Sequence, residues 1–170
     1  KLAAEHLCVL YGANHAVPTS ILRYFTVYGP RQRPDMAFRK FIEAALDGRE
    51  FTIYGDGAQT RDFTFVSDAV RANLLAVAAA DTTEVLNVGG GARISLREAL
   101  DLLGGLLDAA APGCAASVQY DEVARGDVRH TAASVERAAA RIGWRPAVAL
   151  GEGLAAEVAW AVARRQAHGG

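Results

Sequence analysis

The chain has 170 residues, 51% of them hydrophobic and 22% charged, which is enough apolar material for a packed core and excludes a disordered tail. Eighteen Lys and Arg against nineteen Asp and Glu leave a net charge of -1, so the broad positive field used in nucleic-acid binding is absent and any anion site must be local. No apolar run approaches the roughly 20 residues that span a bilayer, and Cys8, Cys114 and the four histidines have neither disulfide-scaffold nor metal-ligand spacing, which points away from membrane and metal functions and toward a reducing, cytoplasmic compartment.

Residues Lys1 to Tyr11 place Ala3, Leu7 and Leu10 on one helical face, with Gly12 and Asn14 as the expected stop. Thr19 to Tyr28 is dense in β-branched and aromatic residues and reads as one buried strand running into Gly29-Pro30. Phe38, Phe41, Ile42, Ala45 and Leu46 follow the helical period up to Gly48. A short strand at Phe51 to Tyr54 meets a Gly55-Asp56-Gly57 turn. From Arg61 to Val66 the residues alternate, with Phe63 and Phe65 on one face, and Ser67 is the expected N-cap of a helix through Ala79.

Glu84 to Val88 reads as another strand, followed by three glycines, and Ser95 with Glu98 predicts a capping box for a helix to about Leu107. Ser117 to Tyr120 is a candidate edge strand and Asp121 to Thr131 the longest loop. Ser134 is expected to start a helix stopped by Gly143, and a last helix runs from about Gly151 to Arg165 with Leu154, Val158 and Val162 inward. The pattern is mixed α/β without an internal repeat.

The glycine triplet at 89–91 does not make a dinucleotide fingerprint, because Ile94 stands where the last glycine of G-x-G-x-x-G would be. Arg125-Gly126-Asp127 has nothing secretory around it and is not read as an adhesion signal. The chemistry-bearing pattern is a set of arginines after strands or turns: Arg31 and Arg33 behind Gly29-Pro30, Arg61 behind the Gly-Asp-Gly turn, and Arg129 in Gly-Asp-Val-Arg. Loops at strand ends are where α/β folds place ligands, and a planar guanidinium suits bidentate contact with phosphate or carboxylate. Singly each is an ordinary surface charge. Together, in a near-neutral chain, they point to a nucleotide or sugar-acid site.

Four segments in order, Lys1-Leu2-Ala3-Ala4-Glu5, Leu22 to Arg31, Ile53 to Phe63 and Asn87-Val88-Gly89, resemble the C-terminal half of extended short-chain dehydrogenases/reductases, the NAD-dependent nucleotide-sugar epimerases and dehydratases. The resemblance continues through Gly143-Trp144-Arg145-Pro146 into the last helix. It implies the late strands and helices of a Rossmann-type parallel sheet plus a small substrate-binding lobe. Residues 1–30 would end the NAD-binding domain. Residues 31–170 would be mainly the nucleotide-sugar lobe, with segments near 61–90 returning to the Rossmann sheet.

By this resemblance Lys1 matches the lysine of Tyr-x-x-x-Lys, so the chain is expected to be a fragment lacking the catalytic tyrosine, and inactive as it stands. The lysine would hold the nicotinamide ribose of NAD and lower the tyrosine pKa for removal of the sugar 4-hydroxyl proton. Phe25 matches a backbone position beside the cofactor and Tyr54 one beside the nucleobase. Arg61 and Arg129 match arginines that clamp the diphosphate, and Asp127 one that accepts from the nucleotide ribose or braces Arg129. Thr26 together with Arg33-Pro34-Asp35-Met36-Ala37 looks like the UDP-glucuronate 4-epimerase branch, where threonine and arginine hold the C6 carboxylate.

That hold has a chemical reason. Oxidation at C4 makes a β-keto acid, which loses carbon dioxide if its carboxylate bond stands perpendicular to the carbonyl plane. A decarboxylase producing a UDP-pentose and a 4,6-dehydratase are the enzymatic alternatives. A nucleotide-sugar-binding lobe or a degenerate paralogue, without catalysis, is the other. The partner expected is a UDP-sugar, with the full-length protein a homodimer through helices that include the first one here.

Overall fold

The computed structural model describes residues 1–79, 81, 83–91, 93–123, 126 and 128–168. It is a mixed α/β arrangement of three small sheets flanked by helices, in the order α1 (Leu2–His15), β1 (Ser20–Tyr24), β2 (Thr26–Tyr28), α2 (Ala37–Leu46), β3 (Glu50–Tyr54), β4 (Thr60–Phe65), α3 (Val66–Ala78), β5 (Glu84–Val88), β6 (Arg93–Ser95), α4 (Leu96–Ala110), β7 (Ser117–Asp121), α5 (Glu136–Ile142) and α6 (Leu150–His168). β1 pairs with β5 in parallel, β4 lies between β2 and β6, and β3 pairs with β7 in parallel. The parallel pairings are those expected for the fold class read from the sequence.

The apolar run Thr19 to Tyr28 forms two strands rather than one. β1 follows β5 up to the pair Tyr24↔Val88, the Phe25 N–H donates to the Val88 carbonyl at 3.1 Å, and β2 then pairs with β4 from Thr26↔Phe63. A continuous apolar run reports burial on both faces but not which strand lies alongside, so it conceals the change of partner.

Two apolar clusters follow from this division. The larger joins Tyr28, Phe38, Ile42, Ile53, Leu103 and Leu154 with their neighbours, and the smaller joins Ala72, Leu86, Val88, Ala138 and Trp144. Trp144 is fully buried, its indole N–H donating to the Asp68 carbonyl at 3.0 Å. The Asp68 carboxylate accepts from the Ala147 and Val148 amides, both at 3.0 Å, which ties the segment after Trp144 to α3.

Several helix boundaries differ from expectation. α1 continues through Gly12 to His15 and ends at Ala16 in the left-handed region, φ 53°. A single glycine costs a helix only about 1 kcal/mol, and at position 12 a side chain would collide with the Thr83 hydroxyl. No residue of α1 is buried, and Leu7 and Leu10 are 60% and 53% exposed, so the face expected to point inward is open. α3 starts at Val66 with extended Phe65 as its N-cap, leaving Ser67 inside the first turn. α5 begins at Glu136, two residues beyond Ser134. The Ser95/Glu98 capping box is present as expected, and strand β6, not anticipated, leads into it.

Candidate functional site

The change of sheet at Phe25 leaves residues 24–30 lining a cavity of about 510 Å³, together with Arg31, Gln32, Arg33, Met36 and Val66. Beside it lies a second cavity of about 230 Å³, whose walls include Gln59, Arg61, Phe63 and Leu96. Thr26, Gln32 and Met36 belong to both, so the two spaces adjoin along β2 and the start of α2.

The turn after β2 shapes the larger space. Gly29 stands at φ 127° and Arg31 at φ 67°, a left-handed conformation that costs an L side chain about 1 kcal/mol or more and persists only where its surroundings hold it. Gln32 is the brace: its amide N–H donates to the Gly29 carbonyl at 3.0 Å, its side-chain N–H to the Val27 carbonyl at 3.0 Å, and its side-chain oxygen accepts from the Arg39 amide at 3.1 Å. Tyr28 donates its hydroxyl to the Leu150 carbonyl at 3.3 Å. Burial, and then the negative charge of Glu157, push its phenol well above the ordinary range, so it stays a neutral donor.

Arg33 is exposed and paired with Asp35 through Nε at 2.9 Å and Nη2 at 2.5 Å. This bond holds the Asp35 carboxyl below the usual range. A guanidinium already gripping a carboxylate in this fork geometry has the chemistry to grip another in its place.

At the smaller cavity, residues 129–133 run along the end of β4. The Thr60 amide donates to the Arg129 carbonyl at 2.9 Å, and the Thr131 amide to the Thr60 carbonyl at 3.1 Å. Asp62, 2% exposed, anchors this segment: one carboxylate oxygen accepts from the Gly90 amide at 2.5 Å and the other from the Ala133 amide at 3.1 Å. Arg61 Nη1 donates to the carbonyls of Thr60 at 2.9 Å and Arg129 at 3.4 Å. The Arg129 side chain reaches Asp56 of the Gly-Asp-Gly turn at 2.9 Å. Asp56 is held below the usual carboxylate range first by the Ala58 amide and then by Arg129.

The structure therefore brings Phe25, Thr26 and Arg33 to the larger cavity, Thr26 and Arg61 to the smaller, and Arg129 beside Arg61. Lys1, at the N-terminus of α1, and Tyr54, 53% exposed at the end of β3, line neither. Asp127 lies outside the described residues. Gln32, Gln59 and the anchor Asp62 were not singled out from sequence, and Met36 entered only as part of the motif that follows Arg33. Their one legible signal is proximity in sequence to Arg33 or Arg61, which does not tell a wall from a surface.

For a dinucleotide, the fit is partial. The larger cavity, with Phe25, Val27, Met36 and Val66 on its walls, suits the flat nicotinamide end. A pyrophosphate needs successive amides at a helix N-terminus after a glycine-rich turn, and Gly89-Gly90-Gly91 leads instead into β6, with a Gly90 side chain excluded by the Phe63 carbonyl. Among the described residues no helix is long and apolar enough to cross a membrane, and no cluster of potential metal ligands occurs.

Residues 1–89 match the family described as the NAD dependent epimerase/dehydratase family. A protein of Bacillus subtilis (strain 168), named as an uncharacterized UDP-glucose epimerase, is 37% identical over 161 residues, covering 94% of this chain and 49% of its own length. The UDP-glucuronate 4-epimerase of Thermodesulfobacterium geofontis is 34% identical over 161 residues, covering 94% and 48%. Among solved structures, the UDP-glucuronic acid 4-epimerase from Bacillus cereus in complex with UDP-glucuronic acid and NAD superposes with a TM-score of 0.85 at 39% identity, over 96% of this chain and 51% of that one. The chain thus spans about half the length of the curated relatives it matches.

Proposed function

Because the chain belongs to the NAD dependent epimerase/dehydratase family, we propose that it forms the nucleotide-sugar side of an NAD-dependent 4-epimerase acting on UDP-glucuronate. The observation that carries this reading is the position of Thr26 on the shared wall of the two cavities, with Arg33 on the larger and Arg61 on the smaller. A sugar acid linked to a diphosphate has two anionic ends, and these cavities offer an arginine for each.

In this reading Arg33 exchanges Asp35 for the C6 carboxylate of the sugar while the Thr26 hydroxyl donates to it, keeping the carboxylate out of the alignment that releases carbon dioxide. Arg61 and Arg129 take the diphosphate, Asp127 serves the nucleotide ribose or braces Arg129, and Tyr54 serves the nucleobase. Phe25 borders the nicotinamide. Bound NAD supplies the hydride acceptor and donor for sugar C4. The Lys1 ammonium holds the nicotinamide ribose and favours the anionic form of a neighbouring base. Residues 1–30 would then close a dinucleotide-binding domain, with 31–170 mainly the substrate lobe. The open face of α1, with Leu2, Leu7, Leu10 and Tyr11 exposed, supports a homodimer of the whole protein, which light scattering checks.

The test is product analysis by NMR of the whole protein, including any sequence that precedes Lys1, with UDP-glucuronate and NAD. UDP-galacturonate without carbon dioxide is expected. A UDP-pentose would make the protein a decarboxylase and overturn the role given to Arg33 and Thr26, and conversion of a neutral UDP- or dTDP-hexose with an inert sugar acid would overturn the substrate assignment.

A further inference from the structure

Glu157 stands on the inward face of α6 beside Leu154 and Val158, and like them it is buried, with 0% of its surface exposed. A carboxylate there is costly unless hydrogen bonds and opposite charge surround it. Glu157 receives little of either. One oxygen accepts from the Gly29 amide at 3.0 Å, and the other is buried without a hydrogen-bond partner among the described residues. Arg39 on α2 is the cation that faces it, but that guanidinium is bonded to Glu43 at 2.5 Å and stacked 4.7 Å over Trp160. As a stabilising element the group is poorly built, and a buried polar group that violates the packing rules calls for a function.

Its hydrogen-bond partner among the described residues, Gly29, is where a role has to be sought. Gly29 opens the turn that carries Arg31 and Arg33, and β2 before it is only three residues long. One turn earlier on α6, a side chain at Gly153 would collide with the Tyr28 hydroxyl and come within 2.7 Å of Phe65, so α6 is seated directly beneath Tyr28 and Gly29. We propose that Glu157 is a positioning residue for the nucleotide-sugar site: from α6 it holds the Gly29 amide, and through it the left-handed turn that presents Arg31 and Arg33 to the larger cavity. This rests on the reading of that cavity as the sugar-acid end of the site.

The charge of the group reinforces the geometry. Burial pushes the Glu157 carboxyl up to about 7, against the opposing effects of the Gly29 bond and Arg39. Tyr28 from β2 faces the same space and is raised in turn by burial, by the charge of Glu157, and further by Asp68 from α3 and Glu152 from α6. Above neutrality the Gly29 bond is charge-assisted and strong, and below it the neutral acid accepts more weakly.

The experiment uses the whole protein with glycine labelled by 15N, in the wild type, Glu157→Gln and the apolar, similarly sized Glu157→Leu. The Gly29 amide proton is expected to move upfield as pH falls from 8.5 to 5.5 in the wild type, to be pH-independent in Glu157→Gln, and to lie upfield throughout in Glu157→Leu. Calorimetry with UDP-glucuronate and UDP-glucose supplies the second readout. Glu157→Leu should weaken UDP-glucuronate about tenfold, the value of one charge-assisted hydrogen bond, while UDP-glucose changes less than about twofold and Glu157→Gln restores most of the loss.

Equal weakening of both ligands would reduce Glu157 to a structural role and overturn the proposal, as would a Gly29 amide indifferent to all variants. A wild type that binds UDP-glucuronate no better than its variants overturns the Glu157 inference alone. A wild type whose Gly29 amide responds but which has no affinity for UDP-glucuronate overturns the reading of the cavity, and with it this role.

Discussion

Arg61 and Glu157 do different kinds of work, and substitution separates them. Arg61 sits half-buried on β4 with its guanidinium on the carbonyls of Thr60 and Arg129, so its side chain both serves the smaller cavity and joins two segments. Arg61→Ala is expected to weaken UDP binding at least about tenfold, and Arg61→Lys to recover only part of it because an ammonium lacks the bidentate fork. Titration calorimetry with UDP checks this, and unchanged affinity in the alanine variant would remove Arg61 from the site.

Glu157 titrates in the opposite sense to a surface carboxylate. Its folded value of about 7 lies above the unfolded 4.5, so between those pH values the folded chain holds more protons than the unfolded one and stability falls as pH rises. Above about pH 7 the loss is complete. Glu157→Gln does not titrate, so its stability advantage over the wild type should grow by up to about 3 kcal/mol between pH 4 and pH 8. Urea denaturation at the two pH values measures it, and a difference that is flat with pH would mean the carboxyl is not desolvated as described.

Among the helices, α4 is the one whose start was fully legible. The Ser95 hydroxyl accepts from the Glu98 amide at 3.1 Å while the Glu98 carboxylate accepts from the Ser95 amide at 3.0 Å. Both residues are within three positions of each other, so no distant contact is needed to form the motif. Ser95→Ala should cost about 1 kcal/mol and Ser95→Gly less, read as a shift in the denaturation midpoint. If the alanine variant is as stable as the wild type, β6 and not the cap sets where α4 begins. The opposite case is Ser67, which has the same capping chemistry yet lies inside α3, because β4 runs directly into that helix at Phe65 and leaves no turn for a cap.

For the molecule as a whole, the division into two apolar clusters matters more than any single element. α2, α4 and α6 enclose the larger cluster, α3 and α5 the smaller, and α1 contributes no buried residue to either. Among the described residues its side-chain tie to the sheet is the partly exposed pair Glu5 and Arg23, Nε to Oε1 at 2.9 Å, which is a weak anchor. Amide hydrogen exchange should therefore open α1 well before α4, whose protection should follow global unfolding. Equal protection in the two helices would mean that α1 is held by contacts other than those described. The larger cavity lies where β1 ends and β2 begins, and both cavities are walled by members of the larger cluster, Tyr28 in one and Phe38 and Phe63 in the other, so the site depends on that cluster being formed.

What the sequence determined by itself is whatever depends on near neighbours: the helical periods of α2 and α6, the turns at Gly55-Asp56-Gly57 and Gly143, the capping box that starts α4, and the ordered motifs that mark the family. Even Glu157 was legible in part, since it falls on the same face as Leu154 and Val158 in a helix whose period was already read. What only the tertiary structure decided is where residues far apart in sequence meet. The same apolar run became two strands because β5 pairs with its first half and β4 with its second. Arg129 came to Arg61 because Asp62 anchors the segment that carries it, and Glu157 came to Gly29 across 128 positions of chain. Periodicity encodes which face of an element is apolar, and it holds no information about which partner covers that face.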